Sequence, residues 1–131
     1  NQQPQARVRG QGELVLLVED ETAVLQMGVE ALQHLGYQVV SAATPGEALA
    51  LANANAGRIA LLITDVIMPE MNGGELARRI ESIQPDIRQL FVSGYSADFI
   101  TRRGMLEQDT HFLQKPFALN TLAQKVSDAL A

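Results

Sequence analysis

The sequence predicts an α/β domain: a five-stranded parallel sheet with helices on both faces. Three observations carry that prediction. Five short apolar runs alternate strictly with five stretches of helical pattern, the signature of a parallel sheet built with right-handed crossovers. Two of the runs, Leu14-Val15-Leu16-Leu17-Val18 and Leu61-Leu62-Ile63, are apolar without interruption, as strands buried on both faces are. Acids stand where these two runs end, Glu19-Asp20-Glu21 after the first and Asp65 after the second. In an open parallel sheet the C-terminal edge of the strands is where sites are assembled.

The bulk properties narrow the function. A chain of 131 residues suits one domain with one core, and 47% hydrophobic residues supply the apolar material for it. A net charge of -5 argues against a nucleic-acid surface on this domain. The chain has no cysteine, which excludes disulfides, thiol catalysis and cysteine-held metal and fits a reducing, cytoplasmic compartment. No apolar run approaches the roughly 18 residues of a membrane span, so no membrane contact is expected of this domain. Residues 1–12 are polar with Pro and Gly and begin at Asn1, not Met. They have the composition of a flexible linker, which suggests the tail of a tether in a longer chain, with the domain itself in residues 13–131.

The elements follow in order. The first strand, residues 14–18, leads into a helix with Val24, Gly28, Ala31, Leu32 and Leu35 on one face, stopped by Gly36. Residues 37–42 form a second strand. Thr44-Pro45-Gly46-Glu47 then combines an N-cap, a proline at N1 and a glutamate at N3, a capping box opening the second helix. That helix runs through Ala48, Leu49 and Ala52 and fades over residues 53–57. The third strand ends at Asp65, and the chain turns through Pro69 and Gly73. Asn72 with Glu75 caps a third helix that turns Leu76, Ile80 and Ile83 inward and ends before Pro85. Residues 89–92 are the fourth strand, followed by a weakly patterned helix over residues 97–104. Residues 111–114 are a short fifth strand, and Leu119, Leu122, Val126 and Leu130 mark the inner face of the last helix.

The strand ends bring together Glu19 and Asp20, Asp65, Ser93 and Lys115. Three carboxylates held close repel one another and need compensation. One lysine leaves the group near a charge of about -2, which a hard divalent cation with oxygen ligands matches; Mg²⁺ is the natural candidate. A carboxylate beside such an ion, with a hydroxyl and an ammonium, suits phosphoryl transfer. Asp65 would be the nucleophile forming an acyl phosphate, while Lys115 and the ion neutralise the phosphoryl oxygens and Ser93 donates a hydrogen bond.

Glu19-Asp20, Asp65 with Met68-Pro69 and Gly73, Ser93-Gly94 and Lys115-Pro116-Phe117 together resemble the receiver domain of two-component response regulators, over nearly the whole chain. The resemblance implies a flavodoxin-like (CheY-like) strand order 2-1-3-4-5. It implies a phosphoryl group on Asp65, taken from a histidine kinase or a histidine phosphotransfer domain. It also implies Mg²⁺ held by Asp20, Asp65 and the backbone carbonyl of Ile67, with Glu19 acting through water, and a cis bond between Lys115 and Pro116. The family's switch maps onto Ser93 and Phe112. Ile67 and Tyr95 would flank the path of attacking water, and because both are bulky, slow loss of the phosphoryl group is expected.

The domain would then be a slow self-catalysing phosphoacceptor, monomeric or weakly dimeric. The linker before it, with no helix-turn-helix after it, resembles the C-terminal receiver of a hybrid sensor histidine kinase, the cytoplasmic part of a membrane-bound sensor. A stand-alone or trimmed regulator and a docking module independent of phosphorylation are the alternatives. A dinucleotide-binding reading of Gly10-Gln11-Gly12 fails because it precedes its strand and lacks the third glycine. A haloacid-dehalogenase phosphatase would place a second acid at the position held by Ile67. His34 and His111 have no ligand-spaced partner.

Overall fold

The computed structural model describes residues 9–131, so residues 1–8 of the expected linker lie outside the described part. The elements are β1 (Leu14–Val18), α1 (Thr22–His34), β2 (Gln38–Ala42), α2 (Pro45–Ala54), β3 (Leu61–Asp65), α3 (Gly73–Ile83), β4 (Arg88–Ser93), α4 (Ala97–Arg102), β5 (Phe112–Gln114) and α5 (Leu119–Leu130). All strand pairs are parallel, and their order is β2-β1-β3-β4-β5.

The two-residue period of a strand sorts its side chains between the faces. Leu16, Val18, Leu62 and Phe91 pack with Ala48, Ala52, Leu76 and Ile80 of α2 and α3. Val15, Leu17, Ile63, Leu90 and Val92 pack with Leu32, Leu122 and Val126 of α1 and α5. The central strand β3 is buried along its whole length, which is why its sequence shows no polar alternation. Asp65 ends it in phase with Leu61 and Ile63, toward the α1/α5 side.

Local chemistry opens and closes the helices. Glu47 N–H donates to Thr44 Oγ1 at 3.1 Å, and Glu47 Oε1 accepts from the Ala43 N–H at 2.9 Å, so the box closes on the residue before the cap. Asn72 Oδ1 accepts from the Glu75 N–H at 2.9 Å. Gly36 has φ +101, and a Cβ there would stand 2.6 Å from the Gly10 carbonyl oxygen. The N–H groups of Gly10 and Gly12 donate to the carbonyls of Leu35 and Gly36 at 2.6 and 2.9 Å. The chain ahead of β1 is thus tied to the α1–β2 turn from residue 10 onward.

Several element boundaries and the apolar faces of two helices differ from expectation. Helix α4 stops at Arg102, because Gly104 takes φ +72 and donates to the Thr101 carbonyl. Strand β5 starts at Phe112 and not at His111, and β4 extends to Ser93. Leu119 is 44% exposed and Val24 37% exposed, so the N-terminal turns of α5 and α1 do not close over each other. Between them lies an apolar groove of about 380 Å³.

Candidate functional site

The parallel ladder sets the strand ends level. Val18 pairs with Thr64, Asp65 with Val92 and Ser93 with Gln114, so the residues at or just past these positions share one rim. Lys115 N–H donates to the Ser93 carbonyl at 2.9 Å, and Glu19 N–H to the Ala42 carbonyl at 3.1 Å. The Lys115–Pro116 peptide is cis. Lys115 Nζ reaches across the rim, 2.8 Å from Glu19 Oε1 and 3.0 Å from Asp65 Oδ1. Carboxylate oxygens of Glu19, Asp20 and Asp65 lie within 4.8 Å of one another. Glu19 and Asp65 are buried, and Asp20 is exposed.

Burial and crowding govern the charges. Asp65 is pushed up to about 7, first by desolvation and then by Glu19, against the opposing pull of Lys115. For Glu19 burial acts upward too, but hydrogen bonds with Asp65, Lys115 and the Glu21 N–H outweigh it and leave the group below its ordinary value. Burial lowers Lys115, and its bonds to Glu19 and Asp65 overcome that and raise it. The pair Glu19 and Asp65 thus holds a proton more readily on Asp65 than an isolated aspartate would. Such a site has more negative charge than its lysine balances, and its donors are all oxygens. That donor set suits a hard divalent cation.

A polar pocket of about 250 Å³ opens over this cluster, lined by Asp20, Asp65, Ile67, Ser93, Tyr95 and Lys115 among others. Ile67 and Tyr95 are 42% and 51% exposed and stand at its walls. Ser93 is buried, and its Oγ accepts the Tyr95 N–H at 3.0 Å, which leaves the hydroxyl proton to point elsewhere. Phe112 is half-buried against the core cluster of the α2/α3 side and does not line the pocket.

Three further residues at the site carry little recognisable signal of their role in the sequence. Thr64 is fully buried and its Oγ1 donates to the Asp65 carbonyl at 2.9 Å; a lone hydroxyl in an apolar strand was the available signal. Glu21 lines the pocket, and its N–H donates to Glu19 Oε2 at 3.1 Å. Gly73 closes the turn after β3. Its N–H donates to the Val66 carbonyl at 2.6 Å, and a Cβ there would collide with the Asp65 carbonyl oxygen.

An aspartate nested against a lysine and two further acids, at the C-terminal edge of a sheet ordered 2-1-3-4-5, defines a class of α/β domains with an acidic site at the strand ends. A family model, the response regulator receiver domain, matches residues 15–127, and the chain belongs to that family: it is a receiver domain of two-component signalling. The sensor kinase CckA of Brucella abortus is 45% identical over 116 residues, 88% of this chain and 12% of that protein. The response regulator receiver protein CpdR of the same organism is 34% identical, over 88% of this chain and 95% of that protein. Among solved structures, the receiver domain from the hybrid histidine kinase CckA is similar with a TM-score of 0.76 and 38% identity, covering 90% of this chain and 99% of that one. Chemotaxis protein CheY4 of Vibrio cholerae is similar with a TM-score of 0.80 and 31% identity, covering 91% and 99%. No helix among the described residues is long and apolar enough to cross a membrane.

Proposed function

We propose that Asp65 is the phosphoacceptor of this receiver and that the phosphoryl group comes from a phosphohistidine of a histidine kinase or histidine phosphotransfer domain. One observation carries the proposal: Lys115 Nζ sits 3.0 Å from Asp65 Oδ1 and 2.8 Å from Glu19 Oε1 on the floor of a polar pocket. A carboxylate oxygen of Asp65 attacks phosphorus as the P–N bond breaks. The bonding pair stays on the imidazole nitrogen, which picks up a proton, and an acyl phosphate is left on Asp65. Lys115 turns from the Asp65 carboxylate to the new phosphoryl oxygens, and the Ser93 hydroxyl donates to another of them. Ser93 and Phe112 then form the switch that reports the added charge.

Asp20, Asp65 and the Ile67 carbonyl would hold Mg²⁺, with Glu19 acting through water. The ion would supply positive charge to the transferring group and favour the ionised form of Asp65. Ile67 and Tyr95 restrict the approach of water and lengthen the lifetime of the acyl phosphate. The apolar groove between α1 and α5 borders the same site, for Glu19, Asp65 and Lys115 line it together with Val24, Met27 and Phe117. A partner helix laid in it would bring a histidine to Asp65. The chain spans 12% of the sensor kinase it matches. Membership in a hybrid kinase on the cytoplasmic side of a membrane is the context we propose for it.

Intact-mass spectrometry after incubation with Mg²⁺ and acetyl phosphate tests the chemistry. The expected result is one adduct of about 80 Da, the mass of a phosphoryl group on an aspartate, absent without Mg²⁺ and absent in Asp65→Asn. An adduct retained in Asp65→Asn would overturn the assignment.

A further inference from the structure

Tyr95 stands at the wall of the phosphoacceptor pocket on a short loop, 51% exposed. A tyrosine so exposed has several rotamers open to it unless something holds it. Here its ring lies on the ring of Phe99, with centroids 4.5 Å apart and planes 13° from parallel. The guanidinium carbon of Arg103 sits over the same Phe99 ring, 4.1 Å from its centroid. With a tyrosine ring stacked on one face of Phe99, a guanidinium that close takes the other. Residues 95, 99 and 103 are spaced i, i+4, i+8, so successive turns around α4 build one column.

The base of the column is fixed. Phe99 N–H donates to Ser96 Oγ at 3.1 Å, the N-cap bond of α4, and the next residue, Ile100, is fully buried. Arg103 forms no ion pair among the described residues, whereas its neighbour Arg102 is engaged with Asp98 at 3.0 Å. The two arginines thus divide the work: one closes a helix pair, the other backs the aromatic stack. At the top, the Tyr95 N–H is bound by Ser93 Oγ, so the column is joined through one backbone bond to a residue of the pocket floor.

We infer that Phe99 and Arg103 are positioning residues that hold the Tyr95 ring at the mouth of the pocket and thereby set the lifetime of the phosphoryl group on Asp65. The inference rests on the proposal that Asp65 is the phosphoacceptor. Neither residue lines the pocket, and each acts through Tyr95. Stacked pairs of this kind favour the held arrangement over the free one by about two- to tenfold. Release of the ring therefore admits water more often and speeds loss of the phosphoryl group by about the same factor.

A double-mutant cycle on the decay of the phosphorylated protein at fixed Mg²⁺ tests this. Phe99→Leu is expected to shorten the lifetime about two- to tenfold, Phe99→Tyr to restore it, and Arg103→Gln to shorten it less, with Mg²⁺ affinity unchanged throughout. In a Tyr95→Ala background, Phe99→Leu is expected to add nothing. An unchanged lifetime in Phe99→Leu, or an equal shortening with and without Tyr95, would overturn the inference. Ring-proton NMR shifts of Tyr95 supply a readout that needs no phosphorylation. Stacking on Phe99 displaces them upfield, and Phe99→Leu must abolish that displacement. A wild-type protein that forms no adduct yet shows the ring shift would sink the Asp65 assignment and with it the lifetime role. An adduct without the ring shift would sink the stack alone.

Discussion

Replacing Asp65 by asparagine is expected to make the metal-free protein more stable, and to do so only above mildly acidic pH. Asp65 is raised from 3.8 to about 7 by burial and by Glu19. For a group raised on folding, the stabilising contribution is complete below the unfolded value and is lost as pH climbs toward the folded one. The native state therefore loses stability between about pH 4 and pH 7 on account of this carboxyl. Three units at about 1.4 kcal/mol each set an upper limit of about 4 kcal/mol. Glu19 and Lys115 share the same charges, so about 1–3 kcal/mol is the expected gain of Asp65→Asn at pH 8. For a domain of this size that is roughly 3–12 °C in Tm. Thermal unfolding of both proteins in EDTA from pH 4.5 to 8.5 measures it. The two curves should converge at the acid end and separate as pH rises. Mg²⁺ should then narrow the gap: at ten times its Kd it stabilises the wild type by about 1.4 kcal/mol and the variant by much less. A variant less stable than wild type at pH 8 in EDTA, or a difference independent of pH, would refute the reasoning.

Other outcomes follow from the same geometry. Lys115→Ala removes the cation between two buried carboxylates and should cost about 1–3 kcal/mol at pH 8, less near pH 5, by urea unfolding in EDTA. Ile67→Ala should speed decay of the Asp65 adduct, followed by mass spectrometry; an unchanged rate would remove Ile67 from the path of water. Gly73→Ala forces a methyl group against the Asp65 carbonyl oxygen, so it should lower both stability and Mg²⁺ affinity, and wild-type behaviour in calorimetric titration would contradict the close approach. Thr44→Ala, at a residue that does not line the pocket, should cost about 1 kcal/mol through the lost cap while leaving phosphorylation intact.

Local physics made much of this protein legible before any coordinates. The capping residues Thr44 and Asn72 announce their helices because a short side-chain oxygen beside free N–H groups has one good use. The unbroken apolar runs of β1 and β3 announce a sheet buried on both sides, and a buried parallel sheet presents its strand ends on one rim. From that alone Glu19, Asp20, Asp65, Ser93 and Lys115 could be collected. Less could be said where local signals are weak. The α4 segment carries few apolar residues at helical spacing, so periodicity marks neither its end at Arg102 nor the column of Tyr95, Phe99 and Arg103. The i, i+4 spacing of the two aromatics was the signal on hand.

Tertiary structure decided the rest. Alternation of strands and helices does not order the strands; resemblance supplied the order 2-1-3-4-5, and the ladder of parallel pairs carries it. Periodicity puts Val24 and Leu119 on the apolar faces of their helices, but in the fold both stand part-exposed at an open groove between α1 and α5. Composition gave three acids and a lysine, but only the fold determines that Lys115 spans Glu19 and Asp65 while Asp20 remains exposed. A sequence names the charged groups; their energies depend on distance and burial, and those exist only once residues 96 positions apart in the chain meet at one rim.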